Sequence, residues 1–99
     1  MTLAAAQRRI AAALEAIDEF ERIIHLKTLH LGPEELLVAA KVGVVQGVSA
    51  ERLAGAIDTA EAAVREAEPL AQVIYLEPDI YREDYVPAER PEPPAPPSH

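Results

Sequence analysis

Near the middle of the chain, two stretches in which apolar and polar residues alternate are separated by a Gly-Pro pair. A period of two is typical of half-buried β-strands. Gly32 supplies backbone freedom and Pro33 cannot donate a ladder hydrogen bond, so the sequence predicts a β-hairpin that turns there. The first strand is predicted from about Arg22 to His30. The residues predicted to share a face within each strand are Leu26, Thr28 and His30 in the first, and Val38, Ala40, Val42 and Val44 in the second.

Before the hairpin, apolar residues at helical spacing predict an amphipathic helix with Thr2 as its N-cap. We expect this helix to stop near Asp18 and Glu19, because acidic residues at a helix C-terminus oppose the helix dipole. The apolar stripe consists of Leu3, Ile10, Leu14 and Ile17.

After the hairpin, Ser49 is the expected N-cap of a second amphipathic helix, and Pro69 marks its end. Glu61 and Arg65 are placed to form an i,i+4 ion pair on its polar side. Its apolar stripe consists of Leu53, Ile57, Ala60, Val64 and Ala67.

A β-rich run from Gln72 to Leu76 predicts a third strand, which we expect Pro78 to stop. The element order is then α-β-β-α-β. Because a strand-helix-strand crossover is right-handed, the third strand should run parallel to the second, with both helices on one face. The predicted fold is an α+β two-layer sandwich of the ferredoxin-like type, with a three-stranded sheet.

The folded part is expected to comprise residues 1–80, and residues 81–99 form a Pro-rich acidic tail. Of the nine prolines in the chain, seven lie in residues 78–99, a composition that predicts an extended, disordered tail. The folded part has one Phe and no Trp, so its core must be small. A domain with so small a core is only marginally stable on its own, which favours a homodimer.

The charge balance excludes several classes of function. Seventeen acidic residues against nine Lys and Arg give a formal net charge of −8, which repels nucleic acid. No stretch has the length of a membrane helix or the pattern of a signal peptide, so we expect a soluble chain. The sequence has no Cys and no Gly-rich phosphate loop, and its two serines are Ser49 and Ser98. We therefore expect no enzymatic activity.

Three segments together resemble the cytoplasmic C-terminal domain of the cation diffusion facilitator family, over about residues 5 to 80. They are Leu26 to Pro33 with Leu37 to Lys41, an acid-rich helix containing Asp58 and Glu61, and Val73 to Asp79. The resemblance implies a metallochaperone-like domain that follows six membrane helices, dimerises, and binds zinc-type cations between protomers to regulate efflux. The expected partners are a second copy and the membrane transport domain of the same protein, at the cytoplasmic side of the membrane.

The resemblance also implies a metal site. Metal-binding members have a histidine near the start of strand 1, another in strand 2, and a histidine followed by an acid at the end of strand 3. The nearest residues here are Ile24 or His25, Ala40 or Lys41, Tyr75 or Leu76, and Glu77. Of these, His25 and Glu77 have ligand chemistry, and Asp79 is the next acid along the chain.

Pairing about the Gly32-Pro33 turn puts His25 opposite Ala40 and Lys41. If strand 1 also bordered strand 3, His25 would lie near Glu77 and Asp79, and the three would form a divalent metal site, with zinc as the expected ion. A protonated Lys41 would repel the cation, so binding should be weak.

Each candidate also has an interpretation without metal. His25 is then a solvated strand residue, Glu77 and Asp79 are strand-end acids, and the acidic side of the second helix is a solvated surface. The alternative function is a free-standing ligand-binding or protein-interaction module of the same fold, because a fold does not determine function.

Overall fold

The computed structural model describes residues 2–80 of the chain. The predicted disorder of the tail concerns residues 81–99, which lie outside the described residues. The elements are α1 (Leu3–Glu15), β1 (Phe20–Gly32), β2 (Glu35–Val44), α2 (Ala50–Ala67) and β3 (Ala71–Ile80). This is the predicted α-β-β-α-β order, and the α+β fold class is confirmed.

The three strands form one sheet in the order β1-β2-β3. β1 and β2 are antiparallel, as expected for a hairpin, and β2 and β3 are parallel, as expected for a crossover through α2. β2 is therefore the central strand. The option that strand 1 borders strand 3 is wrong, because β2 lies between them and pairs with both.

The hydrophobic core lies between one face of the sheet and the two helices. On β2, alternate residues from Leu36 to Val44 are buried, as the period of two predicts. The helices contribute buried side chains to the same core, namely Ala6, Ile10 and Leu14 from α1 and Ala56, Ala60 and Val64 from α2. The buried residues of α2 are small, and the backbone of α2 lies near α1 and β3.

Both predicted N-caps are present. The Thr2 hydroxyl oxygen accepts a hydrogen bond from the Ala5 amide at 3.1 Å, and the Ser49 hydroxyl oxygen accepts one from the Arg52 amide at 3.1 Å. Each satisfies a backbone donor that the first helical turn leaves without a partner. α2 ends before Pro69, as predicted.

α1 ends earlier than predicted, at Glu15 rather than near Asp18 and Glu19. After it, the amide of Ile17 donates to the carbonyl of Leu14, and the amide of Phe20 donates to the carbonyl of Ile17. These tight i to i+3 bonds end the helix and turn the chain into β1. Ile17 is nevertheless buried, so the apolar stripe continues into a turn rather than a helix.

The outer strands are both longer than predicted. β1 begins at Phe20, whose side chain is buried, and extends to Gly32. β3 continues through Pro78 to Ile80, so the prediction that this proline stops the strand is wrong. β3 is an edge strand, where the missing proline N–H need not face a partner.

Two ion pairs fix the helices at opposite ends. Arg9 on α1 donates to the Glu68 carboxylate at 2.6 Å and to the Ala67 carbonyl at 3.3 Å, at the C-terminus of α2. The Glu68 side chain is 1% exposed and also accepts the Leu70 amide at 3.2 Å. At the other end, Arg52 pairs with Glu19 at 3.2 Å. Both helices pack on one face of the sheet through the shared core, and within residues 2–80 no helix covers the other face.

Candidate metal centre on the open face of the sheet

The face of the sheet opposite the helices, here called the open face, carries all three predicted metal ligands. Residues of the three strands lie side by side across it in four rows, each named by one member. They are the Arg22 row (Arg22, Gly43, Asp79), the His25 row (His25, Lys41, Glu77), the Tyr75 row (Lys27, Ala39, Tyr75) and the Leu29 row (Leu29, Leu37, Val73).

A β-bulge in β1 decides that His25 belongs to the open face. Strict alternation would put His25 on the same side as Ile23, whose side chain packs against the core. The register shifts between Ile23 and His25, so Ile23 pairs with Val42 and His25 pairs with Lys41. The extra residue in the bulge turns the histidine to the other face.

The His25 row places Lys41 between the histidine and the acid. The prediction that His25 lies opposite Lys41 is confirmed. Glu77 is the neighbour of Lys41 on the other side, so the backbones of His25 and Glu77 are two strand spacings apart, about 10 Å. One residue row further along, Asp79 lies beside Gly43.

Lys41 pairs with one of the predicted ligands. Its Nζ atom lies 3.9 Å from Oδ2 of Asp79, and the two side chains are 35% and 50% exposed. An ammonium group at this place competes with a metal ion for the Asp79 carboxylate. Within residues 2–80, no group of three or more His, Cys, Asp or Glu side chains lies close enough together to hold a metal ion. The site at His25, Glu77 and Asp79 therefore stays a prediction.

A shallow depression of about 310 Å³ lies over the His25 and Tyr75 rows. Its floor is low because Ala39 is small, and its walls are the longer side chains on either side, among them Lys27 and Tyr75. His25 and Glu77 are on opposite walls. One chain thus offers an imidazole and a carboxylate on one surface, with an ammonium group between them.

Two features of the site region had no clear signal in the sequence. The first is the buried Glu68, which looked like one more acid near a helix end. Its only signal was its position just before Pro69, where the chain must turn back toward the sheet. The second is the separation of His25 from Glu77 and Asp79 by the width of β2, which depends on the strand order.

No protein-family model matches this chain, and neither does any curated protein. Solved structures of the MamM C-terminal domain are similar to it. A variant with two substitutions has a TM-score of 0.74 at 22% identity, covering 81% of this chain and 95% of that one. A copper form has a TM-score of 0.75 at 20% identity, covering 82% of this chain and 100% of the MamM chain. A nickel form has a TM-score of 0.74 at 20% identity, covering 81% of this chain and 100% of the MamM chain.

MamM is a magnetosome transporter of the cation diffusion facilitator family. The resemblance found in the sequence is thus confirmed at the level of the fold, over nearly the whole of the MamM domain. Identities of 20 to 22% establish a shared fold and leave function to be argued from the residues. None of the helices in residues 2–80 is long and apolar enough to cross a membrane.

Proposed function

We propose that this chain is a cytoplasmic dimerisation and regulatory domain of a divalent cation efflux transporter, not an enzyme. The observation that carries the proposal is its fold, which it shares with MamM C-terminal domains solved in nickel, copper, manganese and cadmium forms. In this proposal the partners are a second copy of the chain and the membrane transport domain of the same protein.

The proposed metal ligands are His25, Glu77 and Asp79, and zinc is the proposed ion. Imidazole nitrogen and carboxylate oxygen are both common zinc ligands, but a zinc site normally takes three or four of them. One copy supports only a partial set, since its histidine and its acids are on different edge strands. We propose that a second copy completes the set.

Binding through so few ligands should be weak, on the order of micromolar or poorer, because a positive charge must also be displaced. It should weaken as the solution is acidified, because only neutral imidazole is a ligand.

Calorimetric titration of the chain with zinc tests this function. His25→Ala should abolish the binding heat, whereas His30→Ala is the matched control. His30 pairs with Leu36, so it is on the helix side of the sheet rather than on the open face. Neither heat nor a thermal shift at millimolar zinc would contradict the metal-binding part and leave dimerisation as the domain's contribution.

A second candidate is a free-standing ligand-binding or protein-interaction module. It is favoured by the exposed apolar side chains on the open face, Leu29 at 59% and Tyr75 at 63% exposure. The two candidates differ in whether transport helices precede the domain. An open reading frame that continues upstream of Met1 and encodes apolar helices supports the transporter, whereas a stop codon there supports the module.

A further inference from the structure

The backbone of β1 presents hydrogen-bonding groups at the outer edge of the sheet. On β2, the Leu36 amide donates to the Leu70 carbonyl at 2.7 Å, so Leu36 and every second residue after it point toward β3. The residues between them, such as Ala39, point toward β1 and bond to their partners there, such as Lys27. The remaining residues of β1 point away from the sheet, and within residues 2–80 no strand lies beyond them. Those nearest the turn are Leu26, Thr28 and His30.

A side chain of α1 occupies the first of these three positions. Nε2 of Gln7 donates to the Leu26 carbonyl at 3.2 Å. This contact agrees with an outward direction for the Leu26 backbone, and it uses the acceptor that an added strand would need. A further strand can therefore pair with β1 at Thr28 and His30.

The opposite edge of the sheet is less suited to an added strand. β3 contains Pro78, which has no amide hydrogen, between the charged residues Glu77 and Asp79. Proline and charged side chains are typical of an edge strand that does not pair with another chain. In β1, the segment from Thr28 to Leu31 contains no Pro, Lys, Arg, Asp or Glu.

Exposed leucines surround the same part of β1. Leu29 is 59% exposed and Leu31 is 48% exposed, and Leu3 at the start of α1 is 38% exposed. A groove of about 520 Å³ at this edge is lined by Leu3, Thr28 and Leu29, among others. Three of the five exposed large apolar side chains in residues 2–80 are thus near one end of one edge strand. Such a grouping is typical of a surface that another strand covers.

We propose that β1 of one copy pairs antiparallel with β1 of a second copy at Thr28 to His30. This pairing joins two three-stranded sheets into one sheet of six strands, with all the helices on the same face. The inference goes beyond the proposed function, because the contact is at an edge and leaves the open face and its proposed metal ligands uncovered. A second copy is the proposed partner because the segment is complementary to itself, as its register and its charges show.

Backbone geometry determines the register of this pairing. Outward-pointing residues must oppose each other, the Leu26 acceptor is taken, and the strand is irregular after His30. Thr28 of each copy therefore lies opposite His30 of the other, and each such pair exchanges two backbone hydrogen bonds. Leu29 lies opposite its own counterpart on the two-fold axis, in a pair whose Cα atoms are about 4.5 Å apart.

The side chains are compatible in this register. Lys27 of one copy lies near Leu31 of the other, so no two like charges oppose each other across the pairing. The segment is short and covers far less than the roughly 800 Å² per partner of a standard interface. The formal net charge of −8 on each copy also opposes association at long range. The contact should therefore be weak, depend on concentration, and strengthen when salt screens this repulsion.

Cross-linking through a single thiol tests the contact, because the chain has no cysteine of its own. Leu29→Cys places two thiols opposite each other on the axis, at a Cα separation that a disulfide can span. Tyr75→Cys is the matched control, since Tyr75 is 63% exposed and lies on the other edge strand. Under mild oxidation at about 100 µM, Leu29→Cys should form a linked dimer about tenfold faster than the control. Non-reducing gel electrophoresis measures both rates.

A second variant removes part of the strand pairing and keeps the β1–β2 hydrogen bonds. Thr28→Pro deletes an outward-pointing amide hydrogen, which an edge strand tolerates. Combined with Leu29→Cys, it should lower the cross-linking rate to that of the Tyr75→Cys control. Thr28→Val keeps the amide and the side-chain shape, so it should leave the rate unchanged. Circular dichroism checks that each variant is folded.

Two outcomes would overturn the inference. Equal rates for Leu29→Cys and Tyr75→Cys would show that the β1 edge is not a contact between copies. Fast cross-linking of Leu29→Cys that persists with Thr28→Pro would show that the leucines meet without strand pairing. Failure of the proposed function is seen separately, in the zinc titration, where Thr28→Pro should behave like the wild type.

Discussion

The two faces of the sheet are built from adjacent residues and have opposite characters. On the helix-covered face of β2, every second side chain from Leu36 to Val44 is buried and apolar. On the open face of the same strand, Leu37, Ala39 and Lys41 are partly exposed and change from apolar to charged within five residues. The helix-covered face forms the hydrophobic core, and the open face carries the residues of the proposed site, so substitutions on each face should affect different measurements.

The largest expected effect is the difference in free energy of unfolding between alanine substitutions of two leucines, one on each side of the sheet. Leu14 is fully buried against the helix-covered face, so Leu14→Ala should lower the free energy of unfolding by about 3 kcal/mol through lost burial and a cavity. Leu29 is 59% exposed on the open face, and Leu29→Ala should change it by less than about 0.5 kcal/mol. Urea unfolding of both variants, at concentrations where the wild type is monomeric, measures the contrast. Equal losses would show that the open face is part of the stability core.

Two acids, Glu68 and Glu77, should also differ in what they affect. Glu68→Ala removes a buried carboxylate that binds Arg9 and the Leu70 amide. We expect a loss of about 2 kcal/mol, less than the full value for a buried pair because the Arg9 side chain is 39% exposed. Glu77→Ala on the open face should leave unfolding almost unchanged and weaken zinc binding instead, because Glu77 is a proposed ligand. Thermal and urea unfolding give the first quantity, and calorimetric titration with zinc gives the second.

Lys41→His tests the proposed metal site on the open face. The substitution removes the positive charge beside Asp79 and adds an imidazole to the His25 row. Zinc affinity should rise by about tenfold or more, since a neutral ligand replaces a repelling cation. Calorimetry measures the change, with Lys27→His as a control on the neighbouring row. An unchanged affinity would contradict the proposed metal site at the His25 row.

The smallest expected effect concerns the Pro-rich end of the chain. Removal of residues 86–99 should move the thermal midpoint by less than about 2 °C, because this composition has few apolar side chains to bury. Differential scanning calorimetry of the shortened chain measures it. A large drop would mean that this segment contacts one of the two faces.

Much of the fold was predictable from local pattern. The hairpin, both N-caps, the stop at Pro69 and the parallel third strand follow from periodicity and from the backbone chemistry of Ser, Thr, Gly and Pro. The strand through Pro78 was not predictable, because a proline that stops a central strand is tolerated at an edge, and only the sheet order makes β3 an edge.

The candidate site was predictable only in part. The sequence identified His25, Glu77 and Asp79 as residues able to bind a metal ion. It also predicted that Lys41 lies opposite His25, as the structure shows. It could not place β2 between the histidine and the acids, because strand order is a non-local property. The importance of Glu68 was likewise hidden, since its burial depends on Arg9, 59 residues away in the chain.

The sequence by itself determined the element types, their order and the side of β2 that faces the core, because these depend on interactions between residues close in the chain. The tertiary structure alone decided where the candidate ligands lie relative to one another. A bulge of one residue turns His25 to the open face, and the central position of β2 puts His25 and the two acids, Glu77 and Asp79, on opposite edge strands. Both result from pairing between distant segments, which local periodicity does not encode.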